Sequence, residues 1–304
     1  MNNGGLNLLG LLSGWGTCAS RPPLRLAKVR IGLCRFFLKR VKQNADSGRL
    51  FQAASLAVLM GRNMKGEFNK TIGHPLVVGT IHSNGALKRA LRLKEGAVDI
   101  LELRVDAFAQ DPRPLLRAIS KLPAPLLLTV RHPKEGAMGV LSLAERRELF
   151  RQFLPLCEWV DVELRSLEVL EGEISSARAM GVKVIVSDHH FSGTPTLGVL
   201  GRRLKLAQRV KPDVVKVAAT AETPGDLGRL FDLLIQGPRN RMAVMGMGAQ
   251  GKVSRLLLGA SGSVLNYGYL HEALVPGQWE ATVLKTRLLE LKANDGGAGV
   301  WEKR

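Results

Sequence analysis

Three residues of this sequence have side chains and spacing suited to carbonyl chemistry. Lys216 lies in the middle of the apolar run VVKVAA, where burial disfavours the charged form of an amine. His189 ends the run VIVSDHH, and Glu135 lies in the loop RHPKEGA. A partly neutral lysine can attack a ketone to form an imine, and a histidine can move a proton near neutral pH. The sequence therefore predicts an imine-forming Lys216, with Glu135 orienting His189 through a hydrogen bond.

Two of these residues also have a structural interpretation. Lys216 could be an ion-pair partner of Glu102, Asp161 or Glu163, since a buried amine needs an opposite charge. Glu135 could be a solvated loop charge, because spacing alone does not bring it to His189.

A glycine-rich segment, MGMGAQG, suggests an anion site. It contains a G-x-G-x-x-G pattern at Gly246, Gly248 and Gly251, with Glu272 about 20 residues on, as in dinucleotide-binding loops. A loop that binds phosphate or carboxylate after the seventh strand of a barrel explains the glycines equally well. Arg255, one helical turn later, supplies a guanidinium suited to a carboxylate.

These residues belong to a body of eight strand–helix units that begins near Pro75. Short β-branched runs alternate with longer helical patterns, which indicates parallel βα units. The predicted strands are 75–81, 98–106, 125–131, 159–164, 182–189, 214–219, 241–247 and 263–269, and the predicted helices include 142–153, 168–179, 223–235, 251–260 and 282–293. The sequence predicts a (β/α)8 TIM barrel, with a doubly wound open sheet as the alternative.

The polar pattern of two strands favours the barrel. Every second residue of 101–106 and 160–164 is apolar, and the residues between them are Glu102, Arg104, Asp106, Asp161 and Glu163. Because alternate strand residues point inward and outward, and helices cover the outside, these charges must point into the barrel. They lie near the carboxyl ends of the strands, where barrel enzymes keep their active sites.

The formal charge of +18 is concentrated at the amino terminus. Residues 1–70 hold 12 of the 44 Lys and Arg residues, but only Asp46 and Glu67 of the 26 acidic residues. We predict that 1–70 is a basic extension, either disordered or preceding a true translation start at Met60 or Met64. The barrel domain is predicted to occupy 71–304, and no nucleic-acid or membrane partner is expected for it.

Cysteine usage and hydropathy point to a cytoplasmic protein. Of the three cysteines, only Cys157 lies in the body, so the sequence predicts no disulfide within the barrel. No apolar run is long enough to span a bilayer, and no Cys/His spacing resembles a metal site.

Together these segments resemble type I 3-dehydroquinate dehydratase over roughly residues 75–290. Seven stretches match the family in the same order: LELRVDAF at 101–108, LLLTVRHPKEGA at 126–137, VDVELR at 160–165, VSDHHFSGTP at 186–195, DVVKVAA at 213–219, MGMGAQGKVSR at 245–255 and PGQ at 276–278.

The resemblance implies a lyase of the shikimate pathway that converts 3-dehydroquinate to 3-dehydroshikimate and water. It implies that Lys216 forms the imine, that His189 moves the proton and that Glu135 orients His189. It places the substrate carboxylate on Arg255 and Gln278, and the ring hydroxyls on Glu102, Arg104 and Arg131. It implies no metal and no cofactor, and a homodimer.

Two positions depart from the family pattern. His190 stands where many relatives have Asp, and it could alter the pKa of His189 if the two rings lie close. Leu274 stands where relatives often have a small hydroxyl residue, which would cost one substrate hydrogen bond, about 0.5–1.5 kcal/mol.

Three rival functions remain open at the level of sequence. A Schiff-base aldolase could use a lysine on the sixth strand of the same barrel. The glycine pattern leaves a dinucleotide-dependent oxidoreductase possible. The basic extension leaves binding of nucleic acid or an anionic membrane possible.

Overall fold

The computed structural model describes residues 75–239 and 241–293. The predictions made for residues 1–70, and the ends of the predicted domain 71–304, lie outside the described residues. Within the described part, no helix combines the length and the apolar composition needed to cross a bilayer.

Strands and helices alternate regularly through this part of the chain. The strands are β1 (Leu76–Ile81), β2 (Ile100–Arg104), β3 (Leu126–Thr129), β4 (Trp159–Glu163), β5 (Lys183–His190), β6 (Val214–Thr220), β7 (Met242–Met247) and β8 (Leu265–Tyr269). The helices are α1 (Asn84–Ala90), α2 (Arg113–Ala118), α3 (Leu143–Phe153), α4 (Glu171–Ala179), α5 (Leu197–Gln208), α6 (Pro224–Gln236), α7 (Gly251–Ala260) and α8 (Ala281–Ala293).

All strand pairs are parallel, and β1 pairs with both β2 and β8. The order around the sheet is β7-β6-β5-β4-β3-β2-β1-β8. An open doubly wound sheet would not pair its first strand with its last, so the sheet forms a (β/α)8 barrel, as predicted.

The barrel closes between β7 and β8 through a short seam. The backbone N–H of Val264 donates to the carbonyl of Met242 at 2.8 Å. The hydroxyl of Ser263 accepts from the N–H of Val244 at 3.0 Å and donates to its carbonyl at 3.2 Å. One buried serine thus satisfies backbone groups that a regular ladder would otherwise pair.

The amino-terminal half of the barrel interior is filled by apolar side chains. Each strand contributes at least one buried residue to this cluster, including Leu76, Ile100, Leu127, Trp159, Ile185, Val214, Ala243 and Leu265. Such a packed lower half excludes water from below, so polar side chains can collect only toward the carboxyl ends of the strands.

The predicted alternation of β2 and β4 is confirmed. Leu101, Leu103, Val160 and Val162 belong to the cluster between the strands and the helices. The charged residues between them are buried on the opposite side, inside the barrel. The outward apolar face therefore anchors the helices, and the inward face is left for chemistry.

Three predicted strands end earlier than expected: 98–106 ends at Arg104, 125–131 at Thr129 and 159–164 at Glu163. Residues 105 and 106 belong to the 3-10 turn Val105–Phe108, because the carboxylate of Asp106 turns back to bind Arg104. Residue 164 begins the 3-10 turn Leu164–Ser166. The contact between Arg104 and Asp106 joins residues only two positions apart, but strand periodicity alone does not predict the turn that forms it.

Two helix starts follow from capping boxes. Ser142 caps α3 and exchanges hydrogen bonds with Glu145. Thr223 caps α6 in the same way with Asp226. The predicted helices 142–153 and 223–235 start at these capping residues, one position before the first helical residues Leu143 and Pro224.

The hydrogen bonds between β7 and β8 predict that the Ser263 hydroxyl stabilises the folded protein. Ser263→Ala should lower the free energy of unfolding by about 1–3 kcal/mol, because the buried N–H of Val244 loses its acceptor. Urea denaturation of the purified protein measures this. Ser261→Ala is the matched control, since the Ser261 hydroxyl lies at the exposed end of α7. Equal effects of the two substitutions would contradict a closing role for Ser263.

Candidate active site

Lys216 lies inside the barrel in an ion pair. Its Nζ is 3.1 Å from Oδ2 of Asp161 and 4.0 Å from the centre of the Tyr267 ring. Lys216, Asp161 and Tyr267 are all buried. The predicted structural alternative is thus partly correct, since the lysine has an acidic partner. The pair also holds the amine at a fixed point on β6, facing the upper interior of the barrel.

Arg131 balances the negative charge around this lysine. Its Nη1 donates to Asp161 at 2.9 Å, to Glu163 at 3.2 Å and to the Ser187 hydroxyl at 2.9 Å. Burial opposes ionisation of Asp161, but Arg131 and Lys216 outweigh it and hold the pKa of that carboxyl well below its usual range. Asp161 is therefore an anion between two cations at neutral pH.

Glu163 is fully engaged in hydrogen bonds with neighbouring side chains and backbone. Besides Arg131, it binds Nη2 of Arg146 at 2.7 Å and the Ser166 hydroxyl at 2.9 Å. The backbone N–H of His132 also donates to it at 2.8 Å. Glu163 thus links β3, β4 and α3 below the rim of the barrel.

His189 and Glu135 come together as the sequence predicted. Nδ1 of His189 lies 2.9 Å from Oε2 of Glu135. Glu135 ends the 3-10 turn Pro133–Glu135, and the left-handed Gly136 (φ 83°) that follows would place any β-carbon 2.9 Å from the Phe191 ring. Because Nδ1 faces Glu135, Nε2 is the nitrogen left for the interior of the barrel.

Burial shifts the pKa values of His189 and Glu135 in opposite directions. Burial lowers the pKa of His189 well below 6.5, and the nearby charges of Arg131 and Lys216 lower it further. Burial raises the pKa of Glu135 to about 7, against the opposing charge of Arg131. The imidazole is therefore neutral at neutral pH, and the proton that titrates there is shared with the carboxyl.

His190 points away from the face of β5 that carries His189. Its Nε2 lies 2.9 Å from Asp188, which is also bound by the guanidinium of Arg203 on α5. Burial opposes ionisation of Asp188, but Arg203 and His190 outweigh it and lower its pKa to about 2. The alternation predicted for this residue is confirmed, so His190 pairs outward and makes no contact with the His189 ring.

Glu102 and Arg104 lie on the opposite wall, on β2. The Glu102 carboxylate accepts from the hydroxyls of Thr80 at 3.0 Å and Thr129 at 2.9 Å. Arg104 donates to Asp106 through Nε and Nη2, and to the carbonyl of Gly136 at 2.8 Å. Both side chains are therefore held in place before any ligand binds.

Arg255 is almost fully buried at the start of α7. Its Nη1 donates to the backbone carbonyls of Gly246 at 2.7 Å, Gly251 at 2.9 Å and Gly277 at 2.8 Å. Its Nε donates to the backbone carbonyl of Tyr267 at 3.1 Å. Nη2 makes no hydrogen bond to the described residues. Burial lowers the pKa of Arg255 to about 10, so it is still a cation at neutral pH. No carboxylate pairs with it among those residues, which leaves this charge for an anion.

Gln278 lies beside Arg255, because it follows the glycine that binds that guanidinium. Its Oε1 accepts from the backbone N–H of Leu274 at 2.7 Å and of Val275 at 3.4 Å. The oxygen is thereby occupied, and the amide N–H groups are left as donors. The carbonyl of Gly277, directly before Gln278, accepts from Arg255, so the structure brings the backbone at Gln278 close to that guanidinium.

The glycines of the MGMGAQG segment allow the loop after β7 to pack closely against the loop after β8. A β-carbon on Gly251 would lie 2.7 Å from Cα of Gly277. One on Gly277 (φ 79°) would lie 2.4 Å from the carbonyl oxygen of Gly248. The loops after β7 and β8 can touch only without these side chains, and this contact places the carbonyl of Gly277 against Arg255.

Several residues near the site were not singled out from the sequence. Arg165 binds Glu135, and its only signal was its place in the VDVELR stretch. Tyr267 and His82 are buried polar side chains whose hydroxyl and ring nitrogens have no hydrogen-bond partner of normal geometry in the described structure. Their places near the carboxyl ends of β8 and β1 are the only sequence signal that could have found them. Among the described residues, no three His, Cys, Asp or Glu side chains cluster as metal ligands.

Comparison with protein families gives a match over nearly the whole described barrel. The family model of type I 3-dehydroquinase matches residues 75–295. The 3-dehydroquinate dehydratase of Thermococcus gammatolerans is 32% identical over 217 residues, which cover 71% of this chain and 99% of that protein. The Aquifex aeolicus 3-dehydroquinate dehydratase is 33% identical over 196 residues, covering 63% of this chain and 86% of the relative.

Solved structures agree with the sequence comparison. The type I 3-dehydroquinate dehydratase of Clostridium difficile, solved with covalently modified comenic acid, superposes with a TM-score of 0.64 at 28% identity, covering 73% of this chain and 94% of that one. The Aquifex aeolicus VF5 enzyme gives a TM-score of 0.58 at 28% identity, covering 72% and 98%.

The opposite pKa shifts of His189 and Glu135 predict a change of tautomer. Above pH 7 the ionised Glu135 accepts from Nδ1–H; as the pH falls through about 7, the carboxyl gains a proton and the ring proton moves to Nε2. Nitrogen-15 NMR of the imidazole measures both forms. Glu135→Gln should abolish the switch, and a His189 ring that becomes doubly protonated near pH 6.5 would contradict it.

Proposed function

The chain belongs to the type I 3-dehydroquinase family, and from that premise we propose that it dehydrates 3-dehydroquinate to 3-dehydroshikimate through an imine on Lys216. The observation that carries the proposal is the buried Lys216 amine beside Asp161, in a barrel interior that also holds the His189–Glu135 pair. An amine held there is suited to attack a ketone, and a neutral imidazole is suited to remove a proton.

The first step is attack of the Lys216 amine on the ring ketone. The amine must first lose a proton, and this proton returns to the hydroxyl of the carbinolamine, which leaves as water and gives a protonated imine. The cation of that imine replaces the ammonium beside Asp161, 3.1 Å from the present Nζ. Asp161 therefore stabilises positive charge at the same point before and after the covalent bond forms.

The second step is removal of a proton from the carbon next to the imine. Nε2 of His189 takes this proton, and the electron pair moves into the imine, giving an enamine. When the enamine electrons return, the hydroxyl on the next carbon leaves with the proton held by His189. Water then hydrolyses the imine and releases 3-dehydroshikimate, so one water molecule is lost overall and the enzyme is regenerated.

Arg255 and Gln278 bind the substrate carboxylate in this proposal. The support is that Nη2 of Arg255 lacks a partner within the described residues, and that the Gln278 amide N–H groups are left as donors. Charge-assisted bonds from a desolvated guanidinium are strong, so this end of the site fixes the ring relative to Lys216.

Glu102, Arg104 and Arg131 bind the ring hydroxyls. The carboxylate and the two guanidiniums are oriented by neighbouring side chains, so they lose little entropy on binding. The buried Tyr267 hydroxyl lacks a partner in the described structure and suits the same polar ligand. A substrate with several hydroxyls satisfies these groups better than an apolar one would.

Leu274 affects this site through its backbone. The absence of a hydroxyl there removes one predicted substrate hydrogen bond, about 0.5–1.5 kcal/mol. The N–H of Leu274 instead holds the Gln278 side chain at 2.7 Å. The position thus orients a carboxylate ligand even without its own donor.

A homodimer in the cytoplasm completes the proposal. Large apolar side chains are exposed on α7 and α8, namely Val253, Leu257, Val283, Leu289 and Leu291. A second copy would remove such a surface from water. Three cysteines in 304 residues suit a reducing compartment. Sedimentation of the full chain measures the oligomeric state.

Borohydride should trap the imine. With 3-dehydroquinate present, borohydride reduction should add the mass of the reduced substrate to the peptide that contains Lys216, and activity should be lost. Lys216→Met should neither trap substrate nor dehydrate it, because no other amine occupies this position. Full activity in that variant would overturn the imine mechanism, whereas trapping at another lysine would reassign it.

Gln278→Glu should weaken substrate binding. The new carboxylate can still accept from the Leu274 N–H, but it loses both donors and repels the substrate carboxylate. KM should rise by at least about tenfold, with a smaller change in kcat. Gln236→Glu, at the exposed end of α6, makes the same charge change away from the site. Equal KM values in the two variants would remove Gln278 from the carboxylate site.

A further inference from the structure

Glu135 is bound at both of its oxygens. Oε2 accepts from Nδ1 of His189 at 2.9 Å, and Oε1 accepts from Nε of Arg165 at 2.7 Å. The Glu135 side chain is 1% exposed, whereas that of Arg165 is 39% exposed. A buried carboxylate is therefore connected on one side to the imidazole and on the other to a cation at the surface of the barrel rim.

Other charges also surround this carboxylate. Arg131 at the end of β3 favours its ionised form, while Glu163 on β4 and Asp188 on β5 oppose it. Arg203 on α5 adds positive charge behind Asp188.

The other arginines near Glu135 bind other carboxylates. Nη1 of Arg131 donates to Asp161 and Glu163, and Arg203 binds Asp188. Among the described cations, Arg165 makes the direct hydrogen bond from an arginine to Glu135.

We propose that Arg165 is a positioning residue, which keeps Glu135 ionised and in place so that His189 presents Nε2 as a base at neutral pH. This role rests on the proposed function of His189 as the proton carrier. If the carboxyl were protonated, its O–H would donate to Nδ1, the ring proton would move to Nε2, and no lone pair would face the substrate. Arg165 thus acts on catalysis through two hydrogen bonds without touching the substrate.

The local backbone supports this assignment. Arg165 lies in the 3-10 turn Leu164–Ser166, directly after β4. Glu135 ends the corresponding 3-10 turn after β3. Two neighbouring strands therefore carry matching turns at the same rim, and their side chains meet above the buried network. Because Arg165 lies partly in solvent, its substitution leaves the packed core unchanged.

The test compares Arg165→Ala with Arg165→Lys and Arg202→Ala. Arg202 is an exposed arginine of α5 and makes no hydrogen bond to Glu135, so its substitution removes the same charge from a different place. In Arg165→Ala, the lost hydrogen bond raises the pKa of Glu135. The acidic limb of kcat/KM, near pH 7 in the wild type, should therefore move up by about one pH unit, and kcat/KM at pH 7 should fall about fivefold. Above pH 9 the activity should approach that of the wild type.

Arg165→Lys should restore part of this shift, since it keeps the cation but loses the planar guanidinium. Nitrogen-15 NMR of His189 gives a readout independent of turnover: the tautomer switch should move by the same pH interval in Arg165→Ala and stay fixed in Arg202→Ala. An unchanged acidic limb and an unchanged tautomer switch would overturn the role of Arg165.

Borohydride trapping separates this outcome from failure of the proposed function. If the wild type traps substrate on Lys216 but Arg165→Ala shows no pH shift, only the positioning role is wrong. If the wild type neither dehydrates nor traps 3-dehydroquinate, the proposed function itself is wrong, and the NMR comparison still decides whether Arg165 controls the tautomer.

Discussion

The ion pair between Lys216 and Asp161 determines where the other charges inside the barrel must lie. A buried amine and a buried carboxylate are each costly to remove from water, so neither could stay there without the other. Arg131 then adds a second positive charge, which needs Glu163 as well as Asp161. The interior is therefore a set of mutually dependent charges, and a neutral imidazole beside two cations is a consequence of that set.

Strand β5 shows how one strand serves both chemistry and structure. Ser187 and His189 face the interior, where they contact Arg131 and Glu135. Asp188 and His190 face outward, where Asp188 binds both His190 and Arg203 of α5. The helix is thus fixed to the strand by ionic contacts directly behind His189. A charge that would disturb His189 is kept on the far side of the backbone.

The anion end of the site depends on backbone contact between loops. Arg255 is held by carbonyl oxygens rather than by a carboxylate, and this leaves its charge for a ligand. That arrangement needs Gly251 and Gly277 to touch, so the glycine pattern that resembles a nucleotide loop has a packing cause. In the proposed reaction, the site therefore binds the substrate carboxylate at β7 and β8 and transfers the proton at β3 and β5.

The sequence by itself determined the barrel and its strands, and it predicted the polar groups that the structure brings together inside the barrel. Period-two alternation on β2 and β4, and an isolated lysine in β6, are local patterns that report burial directly. The tertiary structure alone decided which charges pair, because Asp161, Glu163 and Glu102 were equivalent partners for Lys216 at the level of spacing. The tertiary structure also decided that Arg165 binds Glu135, because the turns that follow β3 and β4 meet at the rim. Such contacts arise from register between distant segments, and a single sequence carries no local signal for them.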